Sequence, residues 1–270
     1  MIVSMLLGCA APEPAAADTA AESGETAPSE VAPPLLTADE ALAILDVIYT
    51  TGLPDPGAVQ EGYLQALSHG DEECPGLELQ MNTQPEGCTA ESGYHYSGLA
   101  TYLLTEDPVG WSLSAELEIT PPSGAVLGAG GAAGMWGGET DKGWWRQGTI
   151  NGSWQSGDAP FLSDGYSGSI ALFAESAGTD RYMVGMDGAI SYGGAAVVDL
   201  SKMSARSSEC AAYFLGLVQV RDEHGRWYQI ELSECTGCGE VLQDGTELGE
   251  GCMQTQGAPA ALLALLAPEE

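Results

Sequence analysis

The spacing of apolar residues changes near residue 71. Before that point, the sequence TADE at 37–40 has the pattern of a capping box and opens an apolar run at helical spacing over 41–48. A second helix is predicted to begin near Asp55-Pro56, because apolar residues recur at helical spacing over 59–67. The segment 37–70 is therefore predicted to form one or two short helices.

From residue 71 onward, apolar and polar positions alternate in short runs, and the links are rich in Gly, Asp and Asn. The predicted strands are 94–104, 111–119, 144–154, 167–175, 181–191, 195–200, 211–221 and 227–232, followed by a hairpin over 239–252. No helical pattern separates them, which is typical of an antiparallel meander. We predict an all-β domain over 71–270, either a barrel, a roll or a sandwich. Its apolar tail at 258–267 is expected to pack on the sheet as a strand or a helix.

Charge excludes two classes of partner. Acidic residues outnumber basic ones 39 to 7, the formal net charge is −32, and all seven basic residues follow position 141. Binding to nucleic acid or to anionic lipid headgroups requires clustered Lys and Arg, so this balance argues against both. Hydrophobic residues make up 44% of the chain, so the acidity does not by itself indicate disorder.

The N-terminal residues contain a targeting pattern. The segment 1–8 is apolar and ends in Leu-Leu-Gly before Cys9, and it resembles the lipobox of bacterial lipoprotein precursors. The resemblance implies that a diacylglycerol is attached to the Cys9 sulfur and that a signal peptidase cleaves just before this residue. Ala10, rather than Asp, follows the cysteine, which by resemblance to the sorting of such lipoproteins implies the outer membrane.

Residues 10–36 are composed mainly of Ala, Pro, Glu, Ser and Thr, without an aromatic residue. Such a stretch buries too little apolar surface to offset its ordering entropy, so we interpret 9–36 as a lipidated cysteine followed by a flexible tether. Two or three acyl chains at Cys9 would anchor the protein stably to a membrane.

Six cysteines remain besides Cys9, an even number, as expected of a disulfide framework in an exported protein. Cys74 and Cys88 bracket a stretch predicted to be a hairpin. The Asp-Gly turn of the 239–252 hairpin places Cys238 nearly opposite Cys252. Cys210 and Cys235 are left as a third pair, although the sequence leaves other pairings open.

The C-terminal cysteines have two alternative interpretations, a zinc site and a redox-active pair. Four thiolates, from Cys210, Cys235, Cys238 and Cys252, have the composition of a zinc site, and Cys-x-x-Cys also occurs in redox enzymes. A zinc ribbon usually has two such pairs, and a redox motif begins a helix in a βαβ unit. We therefore favour structural disulfides and predict no metal site.

Together, these features resemble the uncharacterised predicted lipoproteins of myxobacteria and similar predatory or soil bacteria. The features that carry the resemblance are the lipobox, the acidic tether, the Cys-Pro and Gly-Cys-Thr motifs at 74–75 and 87–89, the Ser-Gly at 97–98, and the closing Cys-x-x-Cys-Gly-x-Val motif at 235–241 with its final Cys252. The resemblance implies an outer-membrane location and a cysteine-rich β domain.

Catalytic motifs are weak in this sequence. His69 and His224 lie in predicted turns, and His95 lies between two tyrosines on a predicted strand. A hydrolase built on His95 and a nearby serine is the enzymatic alternative, but no Gly-x-Ser-x-Gly or His-Glu-x-x-His motif is present. We predict no catalytic residues.

The glycine-rich stretch 124–138 matches a loose dinucleotide fingerprint, but Pro121-Pro122 precede it and no helix follows. We interpret it as a loop or as a closely packed strand pair.

Calcium and glycans are the candidate ligands. Carboxylates cluster at 71–73, 222–223 and 244–247, without the spacing of an EF-hand loop. Trp144 and Trp145 are adjacent on a predicted strand, so one indole must lie on each face, and an exposed indole is suited to stacking on a sugar ring. The sequence thus predicts a lipid-anchored envelope protein with a non-catalytic binding or structural role. A calcium- or glycan-binding adhesin and an envelope hydrolase are the alternatives.

Overall fold

The computed structural model describes residues 33–51, 53–75, 80–82, 86–124, 127–155, 166–178, 181–192 and 196–268. The helices are α1 (Ala38–Thr51), α2 (Pro56–Leu67) and α3 (Ala258–Leu266). The strands are β1 (Gln80–Asn82), β2 (Cys88–Thr89), β3 (His95–Glu106), β4 (Val109–Thr120), β5 (Leu127–Thr140), β6 (Gly143–Gln155), β7 (Tyr166–Ala177), β8 (Tyr182–Tyr192), β9 (Ala196–Arg206), β10 (Leu215–Arg221), β11 (Trp227–Leu232), β12 (Cys238–Gln243) and β13 (Thr246–Cys252). Contacts divide the chain into two units, Met1–Pro34 and Leu35–Glu270, and all of these elements belong to the second. Within the described ranges, no helix is long and apolar enough to cross a membrane.

The strands form one antiparallel sheet. From β3 to β13 each strand pairs with the next one in the sequence, while β1 and β2 pair with the other edge of β3. The prediction of an all-β meander with short N-terminal helices is confirmed. Because neighbours in sequence are neighbours in the sheet, the alternation of side chains defines the same two faces across all the strands.

One face, which we call the inner face, carries the apolar core. A row of directly paired residues crosses it from β3 to β12: Tyr102, Leu113, Ala133, Ile150, Ile170, Gly188, Leu200, Val218, Ile230 and Val241. The helices pack on this face, α2 against β5 and β6, α3 against β6 to β8, and α1 mainly against β13. The opposite side of the sheet, the outer face, is turned away from the helices.

The ends of the helices follow the sequence signals. The backbone N–H of Thr37 donates to Glu40 Oε2 at 2.7 Å, and the N–H of Glu40 donates to Thr37 Oγ1 at 3.3 Å, so the predicted capping box is confirmed. Asp55 caps α2 by accepting from the N–H of Gly57 at 2.8 Å. The apolar tail at 258–267, predicted to form either a strand or a helix, forms the helix α3.

Glycines inside the long strands permit local departures from extended backbone. Gly98 in β3 and Gly152 in β6 have φ angles of +101° and +92°. A Cβ atom at Gly152 would lie 2.1 Å from the carbonyl oxygen of Gly130 on the neighbouring strand. Both the backbone angle and the close approach of the two strands therefore require glycine at position 152.

The structure corrects two local predictions. The glycine-rich stretch 124–138 contributes most of a single 14-residue strand, β5, rather than a loop or a strand pair of its own. The stretch between Cys74 and Cys88 is not a hairpin in its described parts, because β1 and β2 both run antiparallel to β3 instead of to each other.

Candidate functional site

Three disulfide bonds link the six cysteines that follow Cys9. Their Cα–Cα distances are 5.7 Å for Cys74–Cys88, 5.1 Å for Cys210–Cys235 and 4.0 Å for Cys238–Cys252. The three predicted pairs are confirmed, and Cys238 lies directly opposite Cys252 in the β12–β13 ladder. The sulfur atoms of the four C-terminal cysteines are bonded in pairs, so in this structure they are not thiolates that could bind zinc. Cys235 and Cys238 are also bonded to other cysteines rather than to each other, unlike the pair of a redox Cys-x-x-Cys motif.

The three histidines have structural contacts. The ring of His69 stacks on that of Tyr94 with centroids 4.2 Å apart. His95 Nδ1 lies 3.0 Å from the hydroxyl of Thr89, and His224 Nε2 lies 3.5 Å from the carboxylate of Glu223. Among the described residues, none of these imidazole rings has a hydrogen bond with a serine hydroxyl, so the geometry does not assemble a Ser-His pair.

Asp71, one of the calcium candidates, acts as a hydrogen-bond acceptor within the chain. Its Oδ1 accepts from the backbone N–H groups of Glu73 (2.9 Å) and Cys74 (2.7 Å), and its Oδ2 accepts from that of Glu91 (2.7 Å). These bonds, that from Glu91 first, hold the pKa of Asp71 below its ordinary value. The carboxylate thereby connects the loop after α2 to the turn before β3.

Asp222, the second calcium candidate, is buried at the turn between β10 and β11. Its Oδ1 accepts from the backbone N–H groups of His224 and Arg226, and its Oδ2 accepts from Arg226 Nε at 2.7 Å and from the Tyr228 hydroxyl at 3.2 Å. Burial by itself would raise the pKa of Asp222, but the bonds from Arg226 and Tyr228 together hold it below its ordinary value. The Tyr228 hydroxyl also accepts from the backbone N–H of Leu36, so this network reaches the start of the folded unit.

An acidic cleft of about 460 Å³ lies at the β11–β13 end of the sheet. Five glutamates line it: Glu231, Glu234, Glu240, Glu247 and Glu250. Glu240 is directly opposite Glu231 on one side and Glu250 on the other, so three like charges occupy one cross-strand row. Such pairs are destabilising. In the part of the chain that the structure describes, no three His, Cys, Asp or Glu side chains converge closely enough to hold a metal ion.

An uncharged row crosses the outer face near the middle of the sheet. From β4 to β9 its directly paired members are Gly110, Trp136, Gln147, Phe173, Gly185 and Ser204. Trp145 lies on the same face of β6, two residues before Gln147, whereas Trp144 packs with the core on the inner face. This confirms the prediction that the two indoles occupy opposite faces. We call Trp136, Trp145 and Phe173 the outer aromatic patch, and all three side chains are half-buried.

The rings of this patch lie over glycines. A Cβ atom at Gly134 would be 2.5 Å from Cη2 of Trp136, and one at Gly110 would be 2.8 Å from its Cδ1, so the indole spans two glycines of neighbouring strands. The other two rings are seated similarly, Trp145 over Gly138 and Phe173 over Gly185. Because no side chain separates the rings from the backbone, they rest on the sheet surface.

The remaining tryptophans have other environments. Trp111 and Trp154 are buried in the core, and Trp227 on β11 is 41% exposed. Arg221 lies over the Trp227 ring, 6.0 Å from its centroid, and the two residues are directly paired across β10 and β11. Trp227 is thus an exposed indole outside the aromatic patch.

The predicted lipidation site, Cys9, and the tether up to residue 32 lie outside the described residues. The class that the described part defines is an all-β, disulfide-linked protein built on a single meander sheet. No protein-family model, curated protein or solved structure matches the chain.

Proposed function

We propose that this chain is a lipid-anchored protein of the bacterial cell envelope, attached to the outer membrane through Cys9, with a non-catalytic binding or structural role. The observation that carries the proposal is the Leu-Leu-Gly-Cys pattern at 6–9, followed directly by a segment with the composition of a solvated tether. The membrane is then reached through acyl chains, which requires no basic surface on the folded unit.

The three disulfide bonds support an exported location. Disulfides form and persist in oxidising compartments and are rare in the reducing cytosol. Cys74 and Cys210 are both buried, which is consistent with structural rather than exchangeable bonds. The six later cysteines pair with one another, so none of these three bonds uses the predicted acylation site Cys9.

A binding role is better supported than catalysis. A hydrolase of this type requires a base that is itself oriented by a third group. His95 contacts the Thr89 hydroxyl, but among the described residues no carboxylate bonds to its ring, and the other two histidines contact Tyr94 and Glu223. The carboxylates of Asp71 and Asp222 are both engaged in holding turns. The outer aromatic patch instead consists of half-buried rings on the face turned away from the helices, and it favours a glycan over calcium as the ligand of the alternative adhesin role.

Metabolic labelling with a clickable fatty acid tests the anchor. The full chain, expressed in a bacterial host, is expected to incorporate the label and to sediment with outer membranes. Cys9→Ser should abolish both, because the acceptor thiol is removed, whereas Ser4→Ala, outside the lipobox, should retain both. Ala10→Asp should keep the label but move the protein to the inner-membrane fraction.

Two results would contradict this proposal. One is a full-length chain that carries no label, and the other is equal labelling of the wild type and Cys9→Ser. Mass spectrometry of the non-reduced, denatured chain provides the control for export, since the three disulfides should be intact in every variant.

A further inference from the structure

The chemistry of the outer aromatic patch differs from that of the rest of the surface. The chain has 39 acidic residues, yet the row through Trp136, Gln147 and Phe173 contains no charged residue from β4 to β9. The core does not require these rings, because the inner face and its helices contain it. Half-buried aromatic side chains on the face away from the core therefore indicate a contact surface.

The geometry of the patch is suited to ligands that combine flat apolar faces with hydrogen-bonding edges. Trp136 and Phe173 are on β5 and β7, two strand spacings apart, which is about 9 to 10 Å. Between them, the exposed Gln147 presents both a donor and an acceptor, and Glu175 is directly paired with Trp145. Aromatic faces separated by hydrogen-bonding side chains match successive pyranose rings, which combine C–H faces with hydroxyl edges.

Charge selects among possible occupants. A second copy of this chain also has a net charge of −32, so association through this face would bring two strongly acidic surfaces together. Anionic polysaccharides meet the same repulsion. A basic protein would be attracted mainly to the acidic cleft, where five glutamates are concentrated. An uncharged glycan incurs none of these electrostatic costs.

We propose that the outer aromatic patch binds a neutral glycan, with sugar rings stacked on Trp136, Trp145 and Phe173 and hydroxyl groups bonded to Gln147 and Glu175. This inference deepens the binding role proposed above but does not depend on the lipid anchor. Ligand binding belongs to the folded unit, so labelling of Cys9 and glycan affinity can be measured on the same full-length protein and can fail separately.

Calorimetric titration of the detergent-purified full chain with defined hexasaccharides tests the proposal. The neutral probes are β-1,4-linked glucose, N-acetylglucosamine and xylose and α-1,4-linked glucose, and the anionic probe is hexagalacturonate. At least one neutral probe should bind saturably and the anionic one should not. Trp136→Ala and Phe173→Ala should each raise the Kd about tenfold or more, because each removes one stacking ring.

Two variants separate binding from a purely structural role. Trp227→Ala removes an exposed indole outside the patch and should leave the Kd unchanged, while Trp136→Tyr retains a stacking ring and should recover most of the affinity lost in Trp136→Ala. The proposal is overturned if no neutral hexasaccharide binds at millimolar concentration, if hexagalacturonate binds more tightly, or if Trp227→Ala weakens binding equally. A dimer in sedimentation experiments that Trp136→Ala dissociates would also overturn it, in favour of self-association.

Discussion

Two regions of the same sheet are stabilised in different ways. Strands β3 to β9 have 11 to 14 residues and are joined by long ladders, whereas β10 to β13 have six or seven residues each. The short-strand region contains two of the three disulfides and a row of repelling glutamates on its surface. The long-strand region instead has an uncharged outer row with two aromatic rings, Trp136 and Phe173, and a third ring, Trp145, beside it.

In this sheet, the side chains proposed to bind a ligand and the disulfides of the short strands lie in different regions. Long ladders bury a large inner face, so the outer face of β4 to β8 is free to present side chains that the core does not need. The short strands have fewer ladder bonds and an unfavourable cross-strand row, and two of the three disulfide bonds lie at that end.

The largest effect is expected from the strand glycines of the long-strand region. Gly152→Ala should lower the free energy of unfolding by about 3 to 4 kcal/mol, because it combines a strained positive φ with a displaced neighbouring strand. Gly130→Ala on the adjacent strand is the matched control, since a Cβ there meets nothing within 4 Å. Urea titration of both variants measures the difference. If both variants lose similar free energy of unfolding, the positive φ and the close strand approach at Gly152 do not contribute specifically to stability.

The disulfides test the short-strand region. Cys74–Cys88 and Cys238–Cys252 have the same sequence separation of 14, so replacing either pair by alanine should cost about 3 kcal/mol of chain entropy. The Cys238–Cys252 variant should recover part of its loss in 0.5 M NaCl at roughly physiological pH, because salt screens the neighbouring Glu240 and Glu250. Thermal unfolding with and without salt measures this. If the two variants respond equally to salt, the Cys238–Cys252 disulfide does not offset the repulsion between Glu240 and Glu250.

Asp222, at the turn between β10 and β11, is expected to make the stability of the short-strand region depend on pH. Because its pKa is lowered on folding, its ionised form stabilises the protein above the unfolded-state pKa near 4, and this contribution is lost as the pH falls through the folded pKa. Asp222→Asn should therefore cost about 2 kcal/mol at neutral pH through weakened charged hydrogen bonds, with a smaller difference from the wild type below pH 4. Asp244→Asn, an exposed turn residue that has a positive φ, removes the same charge and serves as the control. Parallel pH profiles of the wild type and Asp222→Asn would contradict the assignment.

Much of the fold follows from local signals in the sequence. The capping box at Thr37, the alternation over Trp227–Leu232 and the Asp-Gly turn each specify their own element, and that turn also aligns Cys238 with Cys252. Strand β5 was not predicted as one strand, because glycine normally weakens strands and here neighbouring ladders on both sides override that preference.

The outer aromatic patch could not be read from the sequence. Its rings come from three strands, and their alignment depends on the register of β5, β6 and β7, which the sequence does not specify. A partial signal was present, since Gly134, Trp136 and Gly138 recur with the two-residue period of one strand face. The acidic cleft could not be predicted for the same reason, because only the register of the strands places Glu231, Glu240 and Glu250 in one cross-strand row.

The smallest expected effect tests that register directly. Glu240→Gln removes the central charge of the row and should raise the free energy of unfolding by about 0.5 to 1 kcal/mol at low salt, because two like-charge pairs disappear together. Glu118→Gln is the matched control: Glu118 also points outward from a strand but is paired with Ser97 and Gly128, so its replacement should change stability little. The gain should diminish in 0.5 M NaCl, where the screening length is roughly 4 Å, as for any exposed electrostatic interaction. A loss of stability in Glu240→Gln would contradict the assignment of this row as an unfavourable cross-strand interaction.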